Sequence, residues 1–349
     1  MEIPKTADQG VELFGMKRRG NQLATASGAG GAGPEGGDSG EQWEPRETDW
    51  ARVVAVLHIQ SGAVLSLASI VWKASLGTWL WGGLLTWLGM LGLTAGTHRL
   101  WAHRSYDASA PLRAFLAACH TAAGQGSIYT WVLEHRMHHK YHGTDDDPFN
   151  YRRGFMFSHV TSRLLKPHPR FQEVAATIDM SDIEADSIVM FQHRYWAPLT
   201  LLLGVALPLW LPLLVWGHVP LPAAVITVML RLAILWNVAG LINSGEQIWS
   251  LSVKNKYSVD SNLVFFLNRT HWPQYHYLLP WDYRTGEFGS YDDDCVTTAI
   301  RVWAALGWAW GLRTVGGDAV RRALAASDDV VSALEEEGRR VAKQSLFLQ

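Results

Sequence analysis

Residues 74–103 read ASLGTWLWGGLLTWLGMLGLTAGTHRLWAH, and this stretch decides the fold. No charged side chain occurs from Ala74 to Thr97, and the apolar run then meets two histidines, His98 and His103. About 20 apolar residues carry a helix across the hydrocarbon core of a bilayer. Residues 74–97 are therefore expected to span a membrane and to deliver both imidazoles to one of its faces.

The same pattern extends on both sides. Val53–Trp72 is uncharged and separated from the first run by Lys73 alone. Tyr195–Leu230 is uncharged but too long for one helix, and Pro212, Gly217, His218 and Pro220 suggest a break near 217–220. Four spans follow, at about 53–72, 74–97, 197–217 and 220–242. Of the 349 residues, 48% are hydrophobic and 18% charged, below the roughly 25% charged of soluble domains. Eighteen tryptophans suit membrane–water interfaces. Mean hydropathy is +0.00 because polar ends offset the apolar blocks. Residues 1–48, with a Gly/Ser/Ala-rich run at 24–40, are expected to be a disordered tail and 326–349 a polar C-terminal tail, leaving 49–325 as the domain. The first residues lack the basic-then-apolar order of a signal peptide, so insertion is expected to depend on the first span. A net charge of −2 excludes a strongly basic nucleic-acid binder, and Cys119 and Cys295 alone exclude a disulfide scaffold. Eleven Lys and Arg lie between His98 and Trp196, which places that segment and both termini on the cytosolic side. The expected fold is an all-α membrane protein, four transmembrane helices with a cytosolic histidine-rich metal-binding cap.

Fourteen histidines are present, and they cluster. His98 and His103 follow the second span, His135, His138 and His139 lie in the middle segment, and His271 and His276 follow the fourth span. Residues three and four apart are neighbours on a helix, so 135, 138 and 139 share one face. Positions 98 and 103 stand about 140° apart on an ideal helix and converge only if the span frays or turns. Neutral imidazole suits zinc, copper, iron or nickel. More than four such rings exceed what one tetrahedral zinc needs, and two metals of the oxygen-activating kind fit better.

The string Leu93-Thr-Ala-Gly-Thr-His98-Arg-Leu-Trp-Ala-His103 resembles the first histidine box of the membrane acyl-CoA desaturases of the stearoyl-CoA type. His135-Arg-Met-His138-His139-Lys-Tyr-His142 resembles their second box, continued by Asp147-Pro-Phe-Asn150 and Arg152-Arg153, and Pro280-Trp-Asp-Tyr283 the end of the third. The resemblance runs over about residues 50–325. It implies two irons in a cytosolic cap, residence in the endoplasmic reticulum membrane, and cytochrome b5 as electron donor. It also implies use of O2 to remove two hydrogens from a fatty acyl-CoA, typically at carbons nine and ten. Carried over by position, it assigns His98, His103, His135 and His139 to one iron, and His138, His276 and Asn243 to the other. Gln125 and Trp131 fall where the family lines its acyl tunnel.

The third box departs from the family's His-Asn-Tyr-His-His: the same places here hold Pro273, Gln274, Tyr275, His276 and Tyr277. Gln247 stands where a further ligand histidine is expected, so six of nine histidines survive and the second iron is expected to be weak or absent. Gly126, Leu133 and Pro167 replace residues that contact the CoA headgroup, and Gly240 replaces a tryptophan, which suggests a wider tunnel. Two readings stand beside a working desaturase: a catalytically impaired paralogue that binds lipid or partners, and an oxygenase using one metal.

Overall fold

The computed structural model describes residues 43–70, 75–216, 226–249, 276, 280–284 and 294–314. His271, Pro273, Gln274, Tyr275, Tyr277 and the side chain of Gln247 lie outside the described residues, as do 1–42 and 315–349.

The described residues are mostly helical. Helix α1 covers Trp50–Ile70 and α2 covers Leu76–Leu91. Ser75 starts α2 by accepting the Thr78 N–H at 3.2 Å, satisfying one of the amides that a helix start leaves orphaned. At Gly92 the ladder changes to i→i+5 bonding, and a π-helical segment runs on to Ala102. Helices α3 (Ala110–Ala122) and α4 (Ile128–Lys140) follow. Short turns then lead to α5 at Ser187–Thr200, which continues through a π turn, Leu201–Ala206, into the helix Leu207–Trp216. Helix α6 is Arg231–Trp249 and α7 is Cys295–Ala305. One antiparallel pairing of two-residue strands, β1 (Asp107–Ala108) and β2 (Ala309–Trp310), ties the end of the π segment to the residues after α7.

Among the described residues three helices are long and apolar enough to cross a membrane: Leu76–Ala102, Ser187–Leu211 and Thr227–Ser244. A shorter apolar helix, Trp50–Leu65, accompanies them. The Ser187–Leu211 helix begins some ten residues before the expected 197, because Asp186 caps it by accepting the Ile188 and Val189 amides. Tyr195 kinks it (φ −116°, ψ 19°). Pro198 lacks the N–H that would reach back to Arg194, and its ring crowds that turn. Leu57, Leu65, Trp210 and Leu214 all point outward, Leu214 with 82% of its surface exposed. So large an apolar patch needs a lipid surround rather than water.

Two buried guanidiniums in this part of the structure, Arg231 and Arg99, find their partners internally. The buried Arg231 guanidinium donates to the carbonyls of Thr227, Ala122 and Gly204, and so joins α6 to the end of α3 and to the π turn. Arg99 donates to Tyr283 O (2.9 Å) and Thr297 Oγ1 (2.8 Å) and pairs with Asp294 (3.1 Å). That fixes the π segment to α7. Residues 43–49 lie along the turn at 164–166, with Lys166 N–H donating to Glu47 O at 2.7 Å and Asp49 N–H to Leu164 O at 2.9 Å.

The crossing of the π segment with α3 is closest at Gly92, where a Cβ would lie 2.2 Å from the His120 nitrogen and 2.5 Å from the Cys119 carbonyl carbon. Neither backbone atom can give way. Gly92→Ala is therefore expected to cost about 1–3 kcal/mol by overpacking and to lower the thermal midpoint in detergent. Gly83→Ala, with nothing within 4 Å, should leave the midpoint unchanged or raise it.

Candidate metal centre

The π segment supplies the first pair of rings. His103 N–H donates to His98 O at 3.0 Å, an i→i+5 bond, and in that repeat residues five apart stack on one face. Of the two ways expected to bring these residues together, fraying or turning, the segment takes the second, as a regular π turn. Arg104 closes it in the left-handed region at φ 51°, a conformation that costs a non-glycine residue free energy. The strain is held by Arg104 Nε donating to Asp182 (2.8 Å) and by Arg313 donating to the Arg104 carbonyl.

Helix α4 supplies the second set. Ser127 caps it through the Thr130 amide. Arg136 then locks it onto the π segment by donating to the carbonyls of Trp101 (2.8 Å) and Ala102 (3.3 Å) and by a two-pronged bond to Asp182 (2.7 and 2.8 Å). This guanidinium, flanked in sequence by His135 and His138, fixes the distance between the two histidine groups.

The rings of His98, His103, His135, His139 and His276 come together. His103 Nε2 lies 3.1 Å from His98 Nε2 and 2.9 Å from His135 Nε2. The His139 ring centroid is 4.6 Å from that of His103 and 5.0 Å from that of His276. The donor atoms of His98, His103, His135 and His276 all fall within 4.8 Å of one another. Burial holds His103, His135 and His139 well below the usual imidazole range, with the neighbouring histidines adding to the effect. The neutral form is thereby favoured, and it is the ligating form. Neutral rings have too few N–H groups to bridge every such contact, so converging lone pairs favour a shared cation. Two nitrogens bound at right angles to an ion about 2.1 Å away lie about 3.0 Å apart, which matches the observed spacings. The donor set fits a divalent transition metal.

Three placements differ from those carried over by resemblance. His276 joins the first cluster, 4.9 Å from His98 and 4.8 Å from His103 between ring centroids, instead of standing with His138. Asn243 reaches the same cluster, its Oδ1 3.4 Å from His135 Nδ1. It thus orients a ligand ring from behind, as carboxylates and amides do at metal sites. His138 turns away. Consecutive helical residues diverge by about 100°, so His139 faces the cluster and His138 Nδ1 meets Asp147 Oδ1 at 2.7 Å.

Trp131 stacks on His135 with centroids 4.9 Å apart and 22° between planes, and it lines a cavity of about 420 Å³ that also reaches Asn243, Ala239 and Trp236. Gln125 lines the same cavity and accepts from Arg163 at 2.7 Å. Glu134 lines it as well, beside Asp145, Asp146 and Asp147, its pKa raised by burial and opposed by Arg52, Arg163 and Arg46. Sequence reasoning missed Glu134, Arg136 and Asp147. The only available signal was their position within or just after the second histidine group. The tunnel is not widened at Gly240: a Cβ there would lie 2.9 Å from the His159 ring, which fills that space and bonds to Ser244 and Asn237. Leu133 is buried in the apolar core, whereas Gly126 and Pro167 face the cavity.

Replacing one of these ligands by alanine removes a donor whose loss should exceed the 10–100-fold affinity change typical of outer-shell partners. His103→Ala and His139→Ala are each expected to reduce the transition metal bound by purified protein to a small fraction of the wild-type value. Elemental analysis against protein concentration checks this, with His58→Ala, on the exposed side of α1, as a variant expected to keep its metal.

No family model matches the chain. Curated relatives do. It is 35% identical over 287 residues to the acyl-CoA Delta-9 desaturase of Acheta domesticus, covering 81% of this chain and 80% of that protein. It is 35% identical over 291 residues to the acyl-CoA Delta-12 desaturase of Tribolium castaneum, covering 80% and 79%. Against the stearoyl-CoA desaturase of Homo sapiens it is 36% identical over 274 residues, covering 78% and 76%. With this similarity along four-fifths of its length, and buried histidines gathered beneath apolar helices, the chain belongs to the acyl-CoA desaturase family of membrane enzymes.

Proposed function

We propose that this chain introduces a double bond into a fatty acyl chain, at carbons nine and ten, using O2 and two electrons from cytochrome b5. The observation that carries the proposal is the contact between cavity and centre: Trp131 lines the first and stacks on His135 in the second. An acyl chain lying against Trp131 would have its methylenes beside the imidazoles. Bound iron would supply the oxidising power to break unactivated C–H bonds. The protein contributes placement. Small errors of position cost oxidation rates heavily, and the rigid stack of Trp131 on His135 removes one source of such error. Asn243, accepting from His135 Nδ1, keeps the opposite nitrogen of that ring free as a donor to metal. Ile59, Val56 and Trp236 give the cavity an apolar wall against which the methylenes would pack.

The membrane arrangement belongs to the same proposal. Helix α1, 21 residues long, joins the other three apolar helices as a fourth span, with the histidine cap and both termini on the cytosolic face of the endoplasmic reticulum. Glycosylation tags near Lys73 or His218 are expected to be modified, and a tag near Asn150 is not.

The impaired reading keeps one observation in its favour, the commitment of His138 to Asp147 alongside the substitutions Gln247 and Pro273. Fatty-acid analysis of desaturase-deficient cells expressing the chain separates the two. The desaturase reading expects a monounsaturated product, lost in His103→Ala and reduced at least about tenfold in Trp131→Ala. A wild type that yields no unsaturated product while binding acyl-CoA would establish the impaired reading.

A further inference from the structure

The end of α4 carries a second group of ligating side chains that faces away from the five-histidine centre. His138 lies in the last turn of α4 and His142 two residues beyond its end, and the residues that follow bring Asp147 back toward both. His138 Nδ1 lies 2.7 Å from Asp147 Oδ1, and His142 Nδ1 lies 3.9 Å from Oδ2. The three donor atoms fall within 4.8 Å of one another. The carboxylate and the His138 ring are buried, and His142 is 24% exposed.

We propose that His138, His142 and Asp147 form a second metal site, of the non-haem Fe(II) class. Two imidazoles and one carboxylate on one side of an ion, with the remaining positions open, are the donor set diagnostic for that class. The group is braced for the role. The Asp147 carboxylate accepts from the Phe149 amide (2.9 Å, Oδ1) and the Gly143 amide (3.1 Å, Oδ2), which aims it from behind as ligating carboxylates are commonly aimed. The His142 ring stacks on Tyr151 (4.7 Å between centroids, 19° between planes) and meets His138 edge-on at 5.2 Å. Neighbouring ligands around an ion at about 2.1 Å stand about 3.0 Å apart. The His138–Asp147 pair therefore opens slightly and His142 closes by roughly 1 Å.

His138 thus keeps a metal-binding part, but its companions are His142 and Asp147 rather than the positions now occupied by Pro273 and Gln247. The other candidate cluster, Glu44, Asp145 and His168, is less suited. His168 Nδ1 accepts the Arg170 amide at 3.2 Å, which leaves the proton of a neutral ring on Nε2, the nitrogen that faces both carboxylates.

Three protein donors hold an ion less tightly than five, so the site should appear as a second, weaker step. The test is anaerobic titration of the chelator-stripped full chain in detergent with Co(II), followed by calorimetry and visible absorption. Wild type is expected to show two steps. His142→Ala should weaken the second at least tenfold and leave the first unchanged, and His103→Ala should do the reverse. Asp147→Asn should act like His142→Ala. Should that variant fail to fold, as judged by its melting profile, His142→Ala decides alone. A single step in wild type, or a second step that survives His142→Ala, would overturn the site. A second step abolished by Asp145→Asn but not by His142→Ala would overturn it as well, by moving the ion to the acidic cluster. No outcome depends on turnover, so the result stands apart from the desaturase reading.

Discussion

The i→i+5 hydrogen bond from His103 N–H to His98 O is the interaction on which the rest of the arrangement depends. An α-helical continuation of the second long apolar helix would turn its two histidines to different sides. The wider turn puts both on the side facing α4, and it does so where the polypeptide leaves the apolar layer. Such turns are rare and frequently sit at functional sites, and here the surroundings hold the turn in place. Arg99 anchors this one to α7 and Arg136 anchors it to α4. Ion pairs from Arg104 and Arg136 to the single carboxylate of Asp182 hold the strained exit at Arg104. The guanidiniums join elements far apart in sequence and present the histidines as a rigid set.

Two solvents meet at this point. Above it, apolar side chains such as Leu57, Trp210 and Leu214 face outward and the buried Arg231 guanidinium is enclosed by backbone carbonyls. Below it, histidines, carboxylates and arginines are buried in a polar network. The imidazoles are packed ring to ring, and Trp131 carries that packing to the cavity wall. The cavity, the π turn and α4 therefore form one unit, in which Trp131 both lines the cavity and stacks on the His135 ring. Leu133, buried within the core cluster around Ile128, Val132 and Met137, makes α4 amphipathic between a packed face and a ligating face.

The membrane class of the fold was legible because uncharged runs near 20 residues have few soluble explanations. The gathering of His98, His103, His135 and His139 was legible through the family resemblance, which sets these four positions together, and not through local spacing alone. What sequence left hidden is geometric. An α-helical wheel misplaces residues five apart when the helix is of the π type, and it assigns 135, 138 and 139 to one face although 138 and 139 diverge by about 100°. The tryptophan-to-glycine change at position 240 reads as lost volume, yet the His159 ring, eighty residues away, has filled that space. The kink at Tyr195 follows from Pro198 but extends the helix back to Ser187, past the charged residue Arg194 that had seemed to end the apolar run.

The central claim is that His276 completes a five-histidine centre with His98, His103, His135 and His139. Anomalous diffraction at the iron absorption edge from crystals of the iron-loaded protein tests it most directly. The account predicts a strong peak among these five rings, with the His276 ring nitrogen within about 2.3 Å of it. A peak ligated by His98, His103, His135 and His139 alone, with His276 turned to a separate ion beside His138, would contradict it.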